Sequence, residues 1–438
     1  MNPRIKYVLD YFRKLYQVPD EIKIGYGTQD CQVQVYQSDT THFNLLQSFD
    51  VSQVIWKTWK NHKIPILFGQ NKIEAILQED RDYIRINDDI LLSAFYFLSG
   101  WQEYVYQYHH EDESYPYSES LQAKLGITQE PIVHVYFDIL KTAIEKMCNI
   151  ILQLRSYCGK SFALCLTHDV DKCKTGWVED GFYSLRHGKM KDLIHIISNR
   201  IQGHDTWFKF DDILHLEDQY KAHSTFFFIA SQKQSGGENA DYRIDEANIQ
   251  KTITDILEQG YEVGIHGSIG SHLRREQLQQ DLGKIDHRVT GSRFHYLSFH
   301  NPQTISILEE ADIQYDSTLG FAEEIGFRNG VAWPFPLFDC QRNQEKPILE
   351  IPLIMMDATL RKYKNEQPED VFPKIKDLLD CVKHVNGCCA LLWHNNYFSN
   401  YKFQGWGELY QSILEYTHNE AWLASGEEVY RHSNFLLS

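Results

Sequence analysis

The sequence predicts an α/β protein with a distorted (β/α) barrel over residues 156–438 and a smaller mixed α/β domain over residues 1–155. Three observations lead to this prediction. The chain of 438 residues is too long for one average domain, and 42% hydrophobic residues are enough for a sizeable core. From Ser161 onward, short apolar runs alternate with amphipathic helical patterns, which is typical of a mostly parallel sheet covered by helices. An open, doubly wound sheet is the alternative, but no Gly-rich phosphate loop accompanies the strands.

Buried strands are predicted where short apolar or alternating runs lie between helical patterns. These runs cover residues 163–167, 224–230, 262–266, 293–299, 349–355 and 389–393. Helices are predicted over residues 245–259 and 371–385, and another is expected to begin at Asn301-Pro302, an N-cap followed by a proline at the first helical position. In the N-terminal domain, one helix is expected between Asp89 and Gly100 and another after Pro131.

The composition excludes several classes of partner. The chain carries 43 basic and 60 acidic residues and a formal charge of −17, which argues against binding to nucleic acid or to anionic membrane surfaces. It contains no apolar run of transmembrane length and no apolar stretch of signal-peptide type near Met1, so a cytoplasmic protein is expected. Its nine cysteines form no CxxC pair, and neither a disulfide framework nor a cysteine zinc site is predicted. The oligomeric state is not predicted.

Polar side chains follow four of the predicted strands. Each residue taken alone has an ordinary structural explanation, such as a helix cap, an ion pair or a buried structural histidine. In a barrel, however, the carboxyl ends of all strands meet at one rim, where the chemistry is placed. Nitrogen and oxygen ligands of these types suit zinc or another divalent first-row metal. The residues are His168, Asp169 and Asp171 after the first run, His266 and His272 after the third, Arg293, His295 and His300 in the fourth, and His394 after the last.

The order of these motifs resembles that of the polysaccharide deacetylase family, carbohydrate esterase family 4, from about Ser161 to the C-terminus. The likeness rests on the segments 167–171, 224–228, 263–268, 293–296 and 392–394. Segments 315–319 and 326–330 are similar to an uncharacterised branch of that family, and segments 88–104 and 131–140 resemble the extra N-terminal domain of the same branch.

Two features depart from the family pattern. The two aspartates, usually adjacent, are separated here by Val170, although residues at i and i+2 of a strand share a face. The two metal histidines of the family are normally four residues apart, one helical turn, but Gly270 stands four residues after His266. His272 is the next histidine after His266, and either His168 or His300 is an alternative third ligand.

The resemblance implies a barrel of the polysaccharide deacetylase type and a metal-dependent hydrolase that removes N-acetyl groups from a saccharide or polysaccharide precursor. Asp171, His266 and His272 would hold the metal, with Zn²⁺ expected and Co²⁺ or Ni²⁺ as alternatives. No organic cofactor is expected. A catalytically inactive glycan-binding relative and a hydrolase of a non-sugar C–N bond are the competing interpretations.

The same resemblance assigns the catalytic roles. Asp169 would be the general base and His394 the general acid, and Arg293 would orient Asp169. Asp316 or Asp357 would support a histidine. The aromatic side chains of Tyr296, Trp333 and Trp393 are interpreted either as a sugar platform or as part of the core.

Overall fold

The N-terminal region consists of a small sheet, a hairpin and a group of helices. The computed structural model describes residues 2–70, 73–110, 115–234 and 237–437. The small sheet has the strand order β1-β2-β6-β5, and β3 pairs with β4. The helices are α1 (Pro3–Tyr16), α2 (Thr41–Asn44), α3 (Ile90–Leu98), α4 (Trp101–His109), α5 (Leu121–Leu125) and α6 (Ile132–Cys148). The strands are β1 (Ile24–Tyr26), β2 (Val33–Val35), β3 (Ile55–Trp59), β4 (His62–Ile66), β5 (Leu77–Glu79) and β6 (Ile84–Ile86).

The C-terminal region is built on one large sheet with helices between its strands. Its helices are α7 (Gly176–Arg186), α8 (Met190–Ile201), α9 (Phe210–Gln219), α10 (Ala247–Glu258), α11 (Arg275–Leu282), α12 (Gln303–Glu310), α13 (Pro368–His384), α14 (Trp406–Thr417) and α15 (Gly426–Ser433). Its strands are β7 (Phe162–Val170), β8 (Thr225–Phe228), β9 (Lys233–Gln234), β10 (Gly237–Glu238), β11 (Glu262–Gly267), β12 (Gly291–Phe294), β13 (Tyr315–Asp316), β14 (Phe335–Asp339), β15 (Gln344–Glu350), β16 (Leu353–Met356), β17 (Cys388–Leu392) and β18 (Ala421–Ala424).

The large sheet is parallel apart from one edge, and it curls. Its strand order is β14-β15-β13-β12-β11-β8-β7-β17-β16, β18 lies beside the first half of β7, and only the β14–β15 pair is antiparallel. Three steps of about 4.8 Å would place β12 roughly 14 Å from β7 in a flat sheet. The Arg293 guanidinium of β12 nevertheless lies 3.0 Å from the carboxylate of Asp169 in β7. The sheet therefore curls into an open barrel, and the predicted α/β barrel class is confirmed.

The central strands are buried along their whole length, as the parallel sheet requires. Every residue of β7, β11 and β17 is buried, because helices cover the outer face and side chains fill the inner one. The predicted run over 349–355 is two strands, however. β15 and β16 separate at Ile351-Pro352 and pair with different neighbours, β13 and β17.

The N-terminal region shares its core with the barrel. The Tyr7 hydroxyl donates to the Pro336 carbonyl at 2.7 Å, and the Arg328 guanidinium donates to both carboxylate oxygens of Glu103 at 2.8 and 2.6 Å. One continuous apolar cluster includes α1, α3, α6 and the barrel strands. The boundary at residues 155 and 156 stays a prediction.

Asn301 does not cap the helix that follows it, so that prediction is wrong. The helix α12 begins at Gln303, and its N-cap residue is Pro302. The side-chain amide nitrogen of Asn301, Nδ2, instead donates to the Phe338 carbonyl at 2.9 Å, and its Oδ1 accepts from the backbone amide of Cys340. Tertiary hydrogen bonds thus outweigh the local capping preference of asparagine at this position.

Candidate active site

Two carboxylates lie at the carboxyl end of β7. Asp169 belongs to the strand and is 2% exposed, while Asp171 follows the last strand residue and its side chain is 27% exposed. Both approach Nε2 of His266, at 3.6 Å from Asp169 Oδ2 and 3.3 Å from Asp171 Oδ1. The two aspartates therefore share one side of the strand, as expected for residues at i and i+2.

His266 is held at the end of β11 with a defined orientation. Its Nδ1 lies 2.8 Å from the Arg293 carbonyl oxygen, which accepts a hydrogen bond from it. The other ring nitrogen, Nε2, is thus directed at the two carboxylates. Burial alone would lower the pKa of His266, but the adjacent Asp169 and Asp171 carboxylates raise it above its ordinary value.

His295 joins this group from the end of β12. Its Nε2 lies 3.6 Å from Asp171 Oδ2, and donor atoms of Asp171, His266 and His295 all lie within 4.8 Å of one another. Burial would raise the pKa of Asp171, but His295 and His266 hold it well below its usual range. The group of three consists of one carboxylate and two imidazoles.

His272, the expected third ligand, is not part of this group. A turn with Gly270 at φ +82° and the 3₁₀ turn Ser271–Leu273 lead its ring away to within 6.1 Å of the Phe294 ring centroid. Burial lowers the pKa of His272 to about 4. The expectation that His272 completes the metal site is therefore replaced by a group that contains His295.

The two alternative third ligands also lie elsewhere. His168 is on the opposite face of β7 from Asp169, where its Nε2 lies 2.9 Å from Glu217 Oε1 and its Nδ1 lies 2.7 Å from the Trp393 carbonyl. His300 precedes α12 and is likewise not part of the three-residue group. The signal for His295 is present in the sequence, because it stands two residues after Arg293 just as Asp171 stands two residues after Asp169.

Arg293 is fully buried, and its guanidinium group donates hydrogen bonds to Asp169 and to neighbouring residues. Its Nη1 donates to Asp169 Oδ1 at 3.0 Å and to the Thr167 hydroxyl at 2.7 Å. Its Nε and Nη2 donate to the carbonyl and the hydroxyl of Ser317 at 2.7 and 2.9 Å. The guanidinium also lies 4.8 Å from the centre of the Phe227 ring. With four hydrogen bonds and no exposure, Arg293 leaves the Asp169 carboxylate one fixed position.

His394 approaches the same group from the end of β17. Asp357 accepts hydrogen bonds from the backbone amide and from Nδ1 of His394, each at 2.7 Å, which directs Nε2 toward Asp171 Oδ2 at 3.7 Å. Burial works in the opposite sense, but Asp357 raises the pKa of His394 to about 10. A ring with a proton on Nε2 next to two carboxylates is a positioned proton donor.

The other polar and aromatic residues singled out in the sequence have different positions. Asp316 accepts hydrogen bonds from Ser292 and from the Thr318 amide and supports no histidine among the described residues. Trp333 and Trp393 are fully buried and belong to the core. Tyr296 is 63% exposed and stacks on the His295 ring at a centroid distance of 4.1 Å, so it alone of the three aromatics borders the site.

The donor set of this group fits a divalent first-row metal. Asp171 Oδ1 is a buried atom without a hydrogen-bond partner, and it faces Nε2 of His266 at 3.3 Å. Two imidazole nitrogens and one carboxylate oxygen are one of the usual ligand sets of a catalytic zinc ion, which keeps a further position for water or substrate. A cation between these atoms would also relieve the repulsion between the Asp169 and Asp171 carboxylates.

Comparison with known proteins finds one matching family model and several solved structures with a similar fold. Residues 2–149 match a family of unknown function (DUF7033). No curated protein matches the chain significantly.

Solved structures with a similar fold include polysaccharide deacetylases, the family that the order of the sequence motifs also resembles. One is described as a polysaccharide deacetylase from Mycobacterium smegmatis, with 16% identity, a TM-score of 0.43, and coverage of 63% of this chain and 90% of the other. An allantoinase has 14% identity, a TM-score of 0.41, and coverage of 63% and 91%. A carbohydrate esterase family 4 pseudoenzyme from Bacillus anthracis has 13% identity, a TM-score of 0.31, and coverage of 63% and 66%.

Proposed function

We propose that this protein is a divalent metal-dependent hydrolase that removes an N-acetyl group from a saccharide. The observation that carries the proposal is the convergence of Asp169, Asp171, His266, His295 and His394 at one rim of the barrel. The set contains a three-ligand metal site, a spare carboxylate and a spare imidazole, which together supply the groups that amide hydrolysis requires.

Asp171, His266 and His295 would hold the metal, with Zn²⁺ favoured by the ligand types. A bound divalent cation would supply Lewis acidity toward the acetamide carbonyl and lower the pKa of a water molecule in the site. The remaining chemistry belongs to side chains that are not ligands in this assignment. It requires a base for the water and an acid for the departing amine.

Asp169 is the proposed general base. It takes a proton from the water whose oxygen forms the new bond to the acetyl carbon. Arg293 holds the carboxylate through the hydrogen bond at 3.0 Å, so that its other oxygen, Oδ2, is free to accept the proton. Arg293 is in this account a positioning residue, since each of its three guanidinium nitrogens already donates to a protein acceptor.

His394 is the proposed general acid. The C–N bond breaks as Nε2 of His394 gives its proton to the amine nitrogen, and the products are acetate and a free amino sugar. Asp357 keeps the Nδ1 proton in place and stabilises the charged ring, because its carboxylate accepts at 2.7 Å. Tyr296, exposed beside His295, offers a flat surface for the sugar ring.

The test is metal analysis joined to acetate release. Purified protein is expected to bind one equivalent of zinc, cobalt or nickel and to release acetate from some member of a panel of N-acetylated sugars, oligosaccharides and nucleotide sugars. Chelation should abolish the release, and Asp169→Asn and His394→Ala should each reduce it strongly. The exposed substitution Arg288→Gln serves as the matched control.

Two other outcomes would identify the competing functions. Protein that binds glycan but neither metal nor acetamide would be a catalytically inactive relative. Protein that binds metal and hydrolyses simple amides or cyclic imides, but no acetylated sugar, would be a hydrolase of a non-sugar C–N bond. Near-native turnover by both Asp169→Asn and His394→Ala would remove the assigned base and acid.

A further inference from the structure

The helical hairpin formed by α7 and α8 has an apolar outer face. Large apolar side chains that are 45–81% exposed line it at intervals of three or four residues along each helix, so each helix presents one stripe. α8 packs mainly on α7, and Ile196 is its one buried residue. We call this set of side chains the hairpin face. It consists of Val178, Phe182, Leu185, Met190, Ile194, Ile197 and Ile201.

Such a face needs a partner. Isolated exposed apolar residues are normal on protein surfaces, but a contiguous set marks a binding surface. No helix of the described residues is long and apolar enough to cross a membrane. The apolar stripes of α7 and α8 mark the hairpin face as a candidate docking surface.

The charges on the hairpin indicate which partner. Arg186, Lys189 and Lys191 lie on or between the two helices, and the described part of the chain places no carboxylate within ion-pair distance of them. Arg200 of α8 interacts with the Asp205 carboxylate and lowers its pKa, against the larger effect of burial, which raises it. Lys189 and Arg200 lie over aromatic rings, each at about 5.4 Å. A surface with apolar stripes and unpaired cations matches anionic lipid headgroups above an acyl layer.

The carboxylates of the hairpin are mostly engaged elsewhere. Glu179 accepts from Lys402 at 2.7 Å, and the buried Asp180 accepts from the Ser399 hydroxyl at 2.7 Å. Asp192 is the remaining acidic residue of the two helices. The hairpin is therefore a cationic region in a chain of net charge −17.

We propose that the hairpin face docks this protein on the surface of an anionic phospholipid membrane. A second copy of the chain fits less well, because a twofold interface would bring the same unpaired cations of both copies together. From the net charge of the whole chain, binding to anionic membranes was predicted to be excluded. The net charge does not determine how the hairpin face itself interacts with a membrane. At physiological ionic strength, charges farther than about 8 Å are largely screened, so the local cations dominate at the hairpin.

Both helices of the hairpin lie close in the chain or in space to segments that carry candidate site residues. α7 begins shortly after Asp171, and Nδ1 of His195 in α8 lies 2.9 Å from the hydroxyl of Tyr401, in the segment that follows His394. A cavity of about 670 Å³ beside α8 is lined by charged residues that include Lys174, Arg200, Asp205 and Lys209. Lys174 and Lys209 are paired with Glu246 and Asp212.

The proposal does not depend on the proposed hydrolase activity, and it is tested by vesicle flotation of the full chain. Vesicles of phosphatidylcholine with phosphatidylglycerol are compared with vesicles of phosphatidylcholine alone. The test variant combines Phe182→Ser, Ile194→Ser and Ile201→Ser, all at exposed positions, so folding is expected to be unaffected. The matched control combines Leu45→Ser and Ile151→Ser, which are 57% and 84% exposed outside the hairpin.

Wild-type and control proteins are expected to float with the anionic vesicles only, and added salt should weaken the binding. The triple variant should bind about tenfold or more weakly. The proposal is overturned if wild-type protein does not bind anionic vesicles, or if the triple variant binds as the control does. It is also overturned if sedimentation shows a dimer that the triple variant dissociates, because a second copy then covers the face. Circular dichroism of each variant verifies the fold.

Discussion

Arg293→Met tests the buried network that fixes the proposed base. Methionine keeps the length and much of the volume of arginine but removes its four hydrogen bonds, and it leaves the Asp169 carboxylate, 2% exposed, without its cationic partner. Removal of one partner of a buried ion pair is typically destabilising by about 3–5 kcal/mol. That is a large part of the about 5–15 kcal/mol by which domains are usually stable.

The assay is urea unfolding followed by tryptophan fluorescence, with a double-mutant cycle. Asp169→Asn removes the unpaired charge, so Arg293→Met should be less destabilising in that background, with a coupling of about 1–3 kcal/mol. Arg288→Met, at an exposed ion pair of 3.5 Å with Asp312, should change the free energy of unfolding by less than about 1 kcal/mol. A loss below about 1 kcal/mol for Arg293→Met, or a coupling near zero, would refute the assigned role of Arg293.

Three further predictions address the metal ligands, the proposed acid and the buried Glu262 at the start of β11. His295→Ala should weaken zinc binding by at least about 10–100-fold in a chelator competition assay, whereas His272→Ala should leave it unchanged; the reverse order would restore His272 as the ligand. Asp357→Asn should reduce kcat by about tenfold or more with little change in KM, because an amide cannot accept both hydrogen bonds from His394 and carries no charge; unchanged kcat would contradict this. Burial raises the pKa of Glu262 to about 7, so the folded chain binds this proton more tightly than the unfolded chain, and its contribution to stability falls as pH rises from about 4.5 to 7. Relative to wild type, Glu262→Gln should therefore gain up to about 3 kcal/mol of stability over that range, and a difference independent of pH would contradict the sign.

The barrel was predictable because its strands and helices are encoded locally. The segments β7 and β17 begin as apolar runs, as does β11 after Glu262, and the other polar residues stand toward the carboxyl ends of the strands. Once the strands are parallel and the sheet curls, those ends have to meet. The positions of Asp169, Asp171, His266 and His394 thus follow from strand order and register rather than from loop geometry.

The third member of the metal group was not predicted because a turn decides it. The family spacing directed attention to residues after His266, where Gly270 and a 3₁₀ turn lead His272 away. His295 instead stands where β12 gives way to a turn with positive φ at Tyr296 and Leu297. Local propensity does not specify which of two such turns approaches Asp171.

The hairpin face was not predicted for a different reason. Composition gives one net charge for the whole chain, whereas a docking surface depends on which charges are close together and unpaired. Helical periodicity on α8 is visible in the sequence, but it does not reveal whether the apolar stripe faces the core or solvent. Only the tertiary structure shows that Ile194 and Ile201 point away from the barrel.

The central claim is that Asp171, His266 and His295 share one cation, with Asp169 and His394 beside it. The most direct measurement is an anomalous difference map at the zinc absorption edge from crystals grown with zinc. The account predicts one strong peak about 2.0–2.2 Å from an Asp171 carboxylate oxygen and from Nε2 of both histidines. A peak on His272, or none at the carboxyl end of β7 in crystals that bind zinc elsewhere, would contradict it.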